Sequence, residues 1–183
     1  MSIWKDSELQ PWLAALKAGD VVAAPAEGVY GYCCDPFNEA ALQKLTELKG
    51  REPAKGFVVL VPDVFALSKL CQPLTDEQLH ACYDHWKNNE AITLVLPARN
   101  TLPAHLTGEH STIAVRLPHE PYMLEYLQTW GDPLVSTSAN LSGQPPIYDA
   151  EHLPTDMPRL ALSAPLSGKV SKIFDVTSGK FLR

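Results

Sequence analysis

Three basic residues lie close together near the end of a predicted helix. Lys49, Arg51 and Lys55 are three of the fifteen Lys and Arg residues in the chain, and they fall within seven consecutive positions. A triphosphate carries about four negative charges, which arginine neutralises as a planar fork and lysine as a point charge. The cluster therefore indicates a phosphate site. The alternative is that these cations only complement the helix C-terminus, where free carbonyl groups attract positive charge.

A hydroxyl-rich segment follows one of the predicted strands. Residues 136–142 read Ser-Thr-Ser-Ala-Asn-Leu-Ser and include Ser136, Ser138 and Asn140. Ligands of open α/β sheets collect beyond the carboxyl ends of strands, where hydroxyls and free backbone N–H groups point at anions. The segment is therefore a candidate cradle for a phosphate or a carboxylate. A turn whose side chains hydrogen-bond to their own backbone explains the same composition equally well.

Arg116 is a charged residue within an apolar strand, Ile113-Ala114-Val115-Arg116-Leu117. A charge at such a position must be paired or must face a cavity. Strand alternation places it on the same face as Thr112 and Ala114. A structural salt bridge and a bond to a ligand carboxylate both fit this pattern, and the sequence does not choose between them.

Two further clusters carry reactive residue types without a coherent geometry. His80, Cys82 and His85 lie on one short predicted helix, and helical phase scatters them around its axis, which disfavours a metal site. Cys33 and Cys34 fall in a buried strand with no histidine close in sequence, so reduced, buried thiols are expected. The chain also lacks the glycine motifs of P-loop and Rossmann phosphate sites.

Apolar periodicity and helix caps predict the elements that position these residues. The predicted helices cover residues 7–17, a segment capped by Asn38 that ends near Gly50, 63–70, 75–86 and 121–130. The predicted strands cover residues 21–24, 29–32, 57–61, 92–96, 112–117, 133–136, 173–176 and 181–182, the last two as a hairpin. Because strands and helices interleave, the pattern predicts an α/β domain with a mixed, twisted, open sheet flanked by helices. The proline-rich stretch 144–168 is expected to wrap the surface.

Length and composition restrict the class of protein. A chain of 183 residues, 45% of them hydrophobic and 20% charged, fits one packed globular domain. No apolar run is long enough to span a membrane and the first residues do not form a signal peptide, so a cytoplasmic protein is expected. The net charge of −6 argues against a protein that coats nucleic acid with its whole surface, although one basic face stays open.

Five segments follow one another in a recognisable order along the chain. They are PAEGVYGYCCDP, LKGREPAKGFVVLV, TIAVRLP, STSANLSGQPP and SKIFDVTSGKFLR. In this order they resemble the YrdC (TsaC) family of threonylcarbamoyl-AMP synthases, over roughly residues 20–183. The order of the K-x-R motif and the serine and asparagine block makes the resemblance specific.

The resemblance implies a single YrdC-like domain over residues 1–183, with a large concave cavity on its open sheet. It implies an enzyme that joins L-threonine, bicarbonate and ATP into threonylcarbamoyl-AMP, with release of pyrophosphate, for the t6A modification of adenosine 37 in tRNA. Mg²⁺ would be carried by the ATP, with no metal site of the protein's own. The candidate macromolecular partners are tRNA, double-stranded RNA and other proteins of the t6A pathway.

The resemblance also implies roles for individual residues. Lys49 and Arg51 would act in catalysis. The residues implied in ATP binding are Lys49, Arg51, Lys55, Thr112, Ser138, Asn140 and Arg183. Arg116 would hold the carboxylate of threonine, with Ser136 and Ser171 nearby.

Two segments depart from the family pattern. The first loop reads Pro25-Ala26-Glu27, whereas the family usually has P-T-E with a threonine hydroxyl that helps line the substrate pocket. Loss of one hydrogen bond to a buried partner costs about 1–3 kcal/mol. Residues 86–93, WKNNEAIT, replace the family's P-G-P-x-T segment and keep only its threonine.

These departures leave two alternatives to the synthase. One is a non-catalytic YrdC-like paralogue that binds nucleotide or structured RNA without forming the adenylate. The other is adenylation that depends on carbamoyl phosphate, as in the related domain of hydrogenase-maturation proteins. The second is disfavoured because this chain has neither the length nor the C-x-x-C pairs of the modules that accompany that domain.

Overall fold

The fold is built on one eight-stranded sheet, which a computed structural model describes together with all other residues from 1 to 183. The strands are β1 (Val22–Pro25), β2 (Tyr30–Cys34), β3 (Val58–Leu60), β4 (Ile92–Pro97), β5 (Thr112–Arg116), β6 (Leu134–Ser138), β7 (Lys172–Asp175) and β8 (Lys180–Phe181). Their order across the sheet is β1-β2-β6-β3-β5-β4-β7-β8. The pairs β3–β5 and β4–β7 are parallel and the others antiparallel. The prediction of a mixed, open α/β sheet is confirmed.

Six helices pack around this sheet. They are α1 (Asp6–Lys17), α2 (Glu39–Lys49), α3 (Leu67–Leu70), α4 (Asp76–Trp86), α5 (Ala104–Thr107) and α6 (Pro121–Trp130). Short 3₁₀ turns cover Pro53–Lys55, Val64–Ala66 and Ala150–His152. None of the helices has the length and apolar character needed to cross a bilayer.

Side-chain alternation divides the interior into two apolar cores, one on each face of the sheet. Along β6, for example, Leu134 packs with Trp12 of α1 and Tyr126 of α6 in one core of 15 buried residues. Val135 packs with Leu42 of α2 in the other core, which holds 26 buried residues. Because successive side chains of a strand point to opposite faces, β1, β2, β6 and β3 contribute to both cores, whereas β5 and β4 contribute only to the larger one. The smaller core therefore covers only the half of its sheet face that these first four strands form.

The helix ends follow the capping signals in the sequence. The side chain of Asn38 accepts a hydrogen bond from the Ala41 backbone at 3.0 Å, and Gly50 ends α2 in the left-handed region at φ 56°. Thr75 and Gln78 form the predicted capping box of α4. Helix α6 matches its predicted bounds.

Several predicted elements differ in length or type. Asp63 does cap the Ala66 backbone, but the expected helix 63–70 is a 3₁₀ turn followed by the single turn of α3. Strand β6 extends two residues further than predicted, to Ser138, because it pairs there with Gly31 of β2. Helix α5 was not predicted, since its four residues are too few to show periodicity.

The stretch 144–168 crosses the outer edge of the sheet. Its only regular element is a 3₁₀ turn, and its backbone exchanges hydrogen bonds with Ala23 of β1 through Pro158 and Leu160, each at 3.0 Å. Leu153 and Leu160 are buried beneath it. The stretch thus satisfies backbone groups that an edge strand would otherwise leave unpaired.

Candidate active site

A cavity of about 330 Å³ opens on the sheet face that carries α1 and α6. The strands contribute Gly31 of β2, Val58 of β3, Arg116 of β5, and Ser136 and Ser138 of β6. These residues alternate with members of the larger core, so strand periodicity turns all of them to the same face. The remaining lining comes from Thr137, which lies in β6 between Ser136 and Ser138, and from residues outside these strands: Ala26, Glu27, Val29, Arg51, Pro146, Lys169, Val170, Ser171 and Arg183.

Positive charge dominates the lining of this cavity. Arg51, Arg116, Lys169 and Arg183 face a single acidic residue, Glu27. The chain as a whole has the opposite bias, with a net charge of −6. Cations gathered in a concave, low-dielectric site attract anions strongly. The site is therefore suited to anionic ligands.

Arg116 is held by a partner from the first loop. Its Nε lies 2.8 Å from Oε2 of Glu27, and both side chains are about nine-tenths buried, with exposed fractions of 11% and 9%. Its Nη1 donates a hydrogen bond to Thr93 Oγ1 at 3.4 Å. Removing such charges from water is costly, so each group stabilises the other in the cavity wall. The sequence left a salt bridge and a ligand contact as alternatives; the salt bridge is present, and Arg116 also lines the cavity.

Lys49 does not line the cavity. Its Nζ donates to the backbone carbonyls of Ser138, at 2.5 Å, and Asn140, at 2.6 Å, and the residue is only 3% exposed. In return, the Ser142 backbone donates to the Lys49 carbonyl at 3.0 Å. The end of α2 therefore fixes the turn that follows β6. The ammonium group of Lys49 positions Ser138 through its backbone carbonyl and does not itself reach the cavity.

Asn140 serves the same turn. Its Nδ2 donates to the carbonyls of Leu141 at 3.0 Å and Gln144 at 2.6 Å. This is the backbone-bonded turn that the sequence offered as an alternative to an anion cradle. Ser138 lines the cavity and Asn140 does not. The segment therefore contains both a turn bonded to its own backbone and a hydroxyl group that faces the cavity.

Arg51 faces the cavity with unused hydrogen-bonding capacity. Its Nε is buried without a hydrogen-bond partner, and its guanidinium group lies 5.2 Å from the centre of the Phe57 ring. Burial lowers the pKa of Arg51 from its ordinary value, although an arginine stays protonated at neutral pH. A buried guanidinium with an unsatisfied N–H is a ready binding group for a phosphate oxygen.

Two more residues implied in nucleotide binding, in addition to Lys49 and Asn140, lie outside the cavity lining. Lys55 is exposed at the end of a 3₁₀ turn. Thr112 shares its sheet face with Arg116 but stands at the opposite end of β5, about 13 Å away at the usual rise per residue. Lys55 is four residues from Arg51 and Thr112 is four residues from Arg116. Closeness in sequence therefore did not show that only the arginines reach the cavity.

The C-terminal hairpin of β7 and β8 closes one side of the cavity. Arg183 donates from Nε and Nη2 to the Ser171 carbonyl at 3.2 and 3.0 Å. Ser171 Oγ lies 3.2 Å from Thr93 Oγ1, so a continuous set of polar contacts runs from Arg183 to Arg116. The predicted hairpin is present, and it brings Ser171 and Arg183 beside Arg116.

Three residues of the site were not among the predicted ones. Glu27 belongs to the segment Pro25-Ala26-Glu27, but the sequence of that segment did not indicate that the glutamate lines the cavity. Thr93 was the one residue kept from an altered segment, and it is fully buried between Arg116 and Ser171. Lys169 had no signal, since it comes from an irregular stretch. Its position depends on Gly28, whose carbonyl accepts a hydrogen bond from Gly168 at 2.8 Å.

The other reactive residue types lie apart from this cavity. All four cysteines are free and buried, as predicted, and burial raises the pKa of Cys33 to about 12, which keeps it protonated. No group of three or more His, Cys, Asp or Glu side chains is arranged to hold a metal ion. A larger, mainly apolar cavity of about 820 Å³ lies between α3, α4 and residues 99–101, without a cluster of charged groups.

Gly28→Ala is expected to destabilise the protein more than Gly143→Ala. Both glycines have positive φ, 85° and 83°, where a side chain costs roughly 1–2 kcal/mol. Only at position 28 would the new Cβ collide with backbone, 2.0 Å from the Lys169 carbonyl oxygen, whereas Gly143 has nothing within 4 Å. Urea unfolding of both variants measures the difference, and equal losses would contradict this account of the Gly28 contact.

Lys49 is expected to lose its proton far below the pH at which other lysines do. Burial, assisted by the charge of Arg51, lowers its pKa from 10.5 to about 8. Between these two values the unfolded chain binds the proton and the folded chain does not, so stability relative to Lys49→Met should rise with pH. NMR titration of lysine side chains should reveal one resonance with a midpoint near 8 that is missing in Lys49→Met. A uniform set of midpoints above 10 would refute the burial effect.

Comparison with known proteins agrees with the fold. The profile of the Sua5/YciO/YrdC family, described as "Telomere recombination", matches residues 14–183. A threonylcarbamoyl-AMP synthase of Stenotrophomonas maltophilia is 39% identical over 187 aligned positions, which cover 98% of this chain and 99% of that protein. A threonylcarbamoyl-AMP synthase of Klebsiella pneumoniae is 40% identical over 73% of this chain and 70% of its own length.

Solved structures show the same architecture. The crystal structure of P. abyssi Sua5 complexed with L-threonine superposes with a TM-score of 0.84 at 25% identity, covering 96% of this chain and 53% of that one. The present chain therefore spans about half the length of Sua5. E. coli YciO has a TM-score of 0.78 at 20% identity over 93% of this chain and 84% of its own, which shows a shared fold. From the family match and the near full-length relative, the chain belongs to the Sua5/YciO/YrdC family.

Proposed function

We propose that this protein is an ATP-dependent L-threonylcarbamoyladenylate synthase, which joins L-threonine, bicarbonate and ATP into threonylcarbamoyl-AMP and pyrophosphate. Relatives named threonylcarbamoyl-AMP synthase support an enzyme of this kind. The observation that carries the proposal is the convergence of Arg51, Arg116 and Arg183 on one cavity. Such an arrangement suits a reaction between two anions, a carbamate and a polyphosphate.

In this proposal Arg51 and Arg183 bind the phosphates of ATP, and Arg116 binds the carboxylate of threonine. The Ser138 hydroxyl adds a polar contact from β6, while Lys49 keeps the turn around it in place. The threonine ammonium group loses a proton, bicarbonate takes up one to give CO₂ and water, and the free amine adds to CO₂ with loss of a second proton to solvent, which forms a carbamate. A carbamate oxygen then attacks the α-phosphorus, and pyrophosphate leaves. Charge neutralisation and alignment would supply most of the rate enhancement.

The size of the cavity bears on how ATP would bind. A volume of about 330 Å³ lies at the lower end of the usual range for ligand pockets. We therefore place the triphosphate and the amino acid in the cavity and the nucleoside toward its open side. The large concave cavity expected from the sequence stays a prediction, as does ATP binding by Lys55, Thr112 and Asn140.

Magnesium enters the proposal only with the nucleotide. The cavity offers one carboxylate, Glu27, and Arg116 already pairs with it. Mg²⁺ binds through oxygen ligands and keeps several waters, so it fits a position on the phosphates and would neutralise part of their charge there. The product would serve the t6A modification of tRNA. A cytoplasmic location, and contacts with tRNA or with other proteins of that pathway, are further parts of the proposal.

The reaction is tested by measuring pyrophosphate release and by detecting the adenylate by mass spectrometry. Release is expected only when ATP, bicarbonate and threonine are all present. Arg51→Gln should lower kcat/KM about 10- to 150-fold, because a hydrogen bond to a charged group is worth about 1.5–3 kcal/mol. Arg99→Gln, a change at an exposed arginine outside the cavity, is the control and should retain activity. Nucleotide binding without threonine-dependent release would instead support the non-catalytic paralogue.

Ala26→Thr is expected to raise activity. Ala26 is 4% exposed and lines the cavity, and its carbonyl is fixed by the Tyr122 hydroxyl at 3.2 Å. A hydroxyl at this position would restore the polar contact that related sequences have, worth about 1 kcal/mol or roughly fivefold in kcat/KM. Ala26→Val has the same shape without the hydroxyl and is the matched control. If both variants change kcat/KM alike, the hydroxyl is not what this loop lacks.

A further inference from the structure

Glu27 is out of place in a cavity that otherwise attracts anions. It is the only acidic residue in a lining that includes Arg51, Arg116, Lys169 and Arg183. A carboxylate there weakens the attraction for a phosphate or a substrate carboxylate, since like charges repel. Its presence in the wall of the site therefore needs a reason beyond the binding of anions.

The pairing of Glu27 with Arg116 leaves polar atoms of both side chains without a hydrogen bond. Oε2 of Glu27 is 2.8 Å from Arg116 Nε, which is close enough for an ion pair. The contact nevertheless lacks hydrogen-bond alignment, so both carboxylate oxygens and Nε are buried without a hydrogen-bond partner. Buried polar atoms in this state are rare and costly, and they are found where a ligand completes the site.

No other group of the chain fills the gap. The two tyrosine hydroxyls above the first loop are already used, since Tyr122 donates to the Ala26 carbonyl and Tyr126 to the Pro25 carbonyl. Lys169 lines the same cavity, but its ammonium group makes no ion pair with Glu27. A partner from outside the chain completes such a site, and because the carboxylate is charged, a cationic N–H of a ligand is the best match.

An amino acid supplies such a donor beside an acid group. Its ammonium nitrogen and its carboxylate are separated by one carbon atom, and Glu27 and Arg116 stand side by side with opposite charges. We propose that Glu27 binds the α-ammonium group of the amino-acid substrate while Arg116 binds its carboxylate. The ion pair then recognises a zwitterion, and Glu27 is a specificity-determining residue. This inference rests on the proposed function, because it concerns the same site.

The assignment gives the carboxylate a selective role. Inorganic phosphate and simple carboxylic acids would meet the same cations as threonine, but they carry nothing for Glu27 to bind. If one of these anions entered, the Glu27 carboxylate would still lack a hydrogen-bond donor and would be repelled by the negative charge. An amino acid would supply that donor with its ammonium group. The cavity can thus be positively charged for ATP and still prefer a ligand with a positive group.

The test compares L-threonine with (R)-3-hydroxybutyrate, which has the same skeleton without the amine. Isothermal titration calorimetry, with a non-hydrolysable ATP analogue present, measures both affinities in wild type and in Glu27→Gln. Wild type is expected to prefer threonine at least tenfold. Glu27→Gln should weaken threonine about 10- to 150-fold and leave hydroxybutyrate unchanged or tighter. Glu77→Gln, a change at an exposed residue of α4, is the matched control and should alter neither affinity.

Other outcomes overturn the assignment. If Glu27→Gln weakens both ligands by the same factor, Glu27 only positions Arg116. Equal affinity of wild type for the two ligands would reject ammonium binding without any variant, which covers the case in which Glu27→Gln does not fold. If wild type neither binds threonine nor releases pyrophosphate with it, the proposed function fails. The same comparison with L-serine and 3-hydroxypropionate then decides the ammonium assignment, and equal binding of that pair rejects it.

Discussion

The site depends on one constraint, the alternation of side chains along strands whose other face is packed in a core. Val59, Val115 and Val135 of the three central strands lie in the larger core and are fully buried. Their neighbours in sequence must point the other way, and these include Val58, Arg116 and Ser136. A shift of β5 by one residue would bury the charge of Arg116 in that core. The packing that stabilises the sheet is therefore what aims the polar groups into a common cavity.

Basic residues at the end of α2 serve two purposes, since one holds the turn after β6 and another faces the cavity. The sequence first indicates three cations directed at phosphate, Lys49, Arg51 and Lys55, at and after the end of α2. Instead, Lys49 uses its ammonium group on two carbonyls of the turn, and the left-handed Gly50 lets the chain reverse so that Arg51 faces the cavity. The motif thus contains one positioning cation and one exposed to ligands. A count of basic residues therefore overestimates the cations available to a ligand, because some of them bind backbone carbonyls instead.

Much of the fold could be predicted because its signals are local. Asn38, Gly50 and the capping box at Thr75 gave the helix ends, and apolar runs gave the strands. The predicted site was partly assembled: Arg51, Arg116, Ser136, Ser138, Ser171 and Arg183 share one cavity. Glu27 and Lys169 were missed as members of it, because their placement depends on contacts between a loop and an irregular stretch far along the chain. Thr112 had the right face of its strand but the wrong end, which no local pattern reveals.

The hairpin of β7 and β8 has a consequence for the order of assembly. Ser171 and Arg183, which line one side of the site, flank β7 and β8, and these strands are synthesised after those that carry Arg116, Ser136 and Ser138. A chain that folds from its N-terminus can bury both cores before this wall exists. Structural integrity and competence to bind substrate are then acquired at different moments of biosynthesis. A nascent chain would be folded while it is still inactive, and synthesis of the segment that carries β7 and β8 would complete the site.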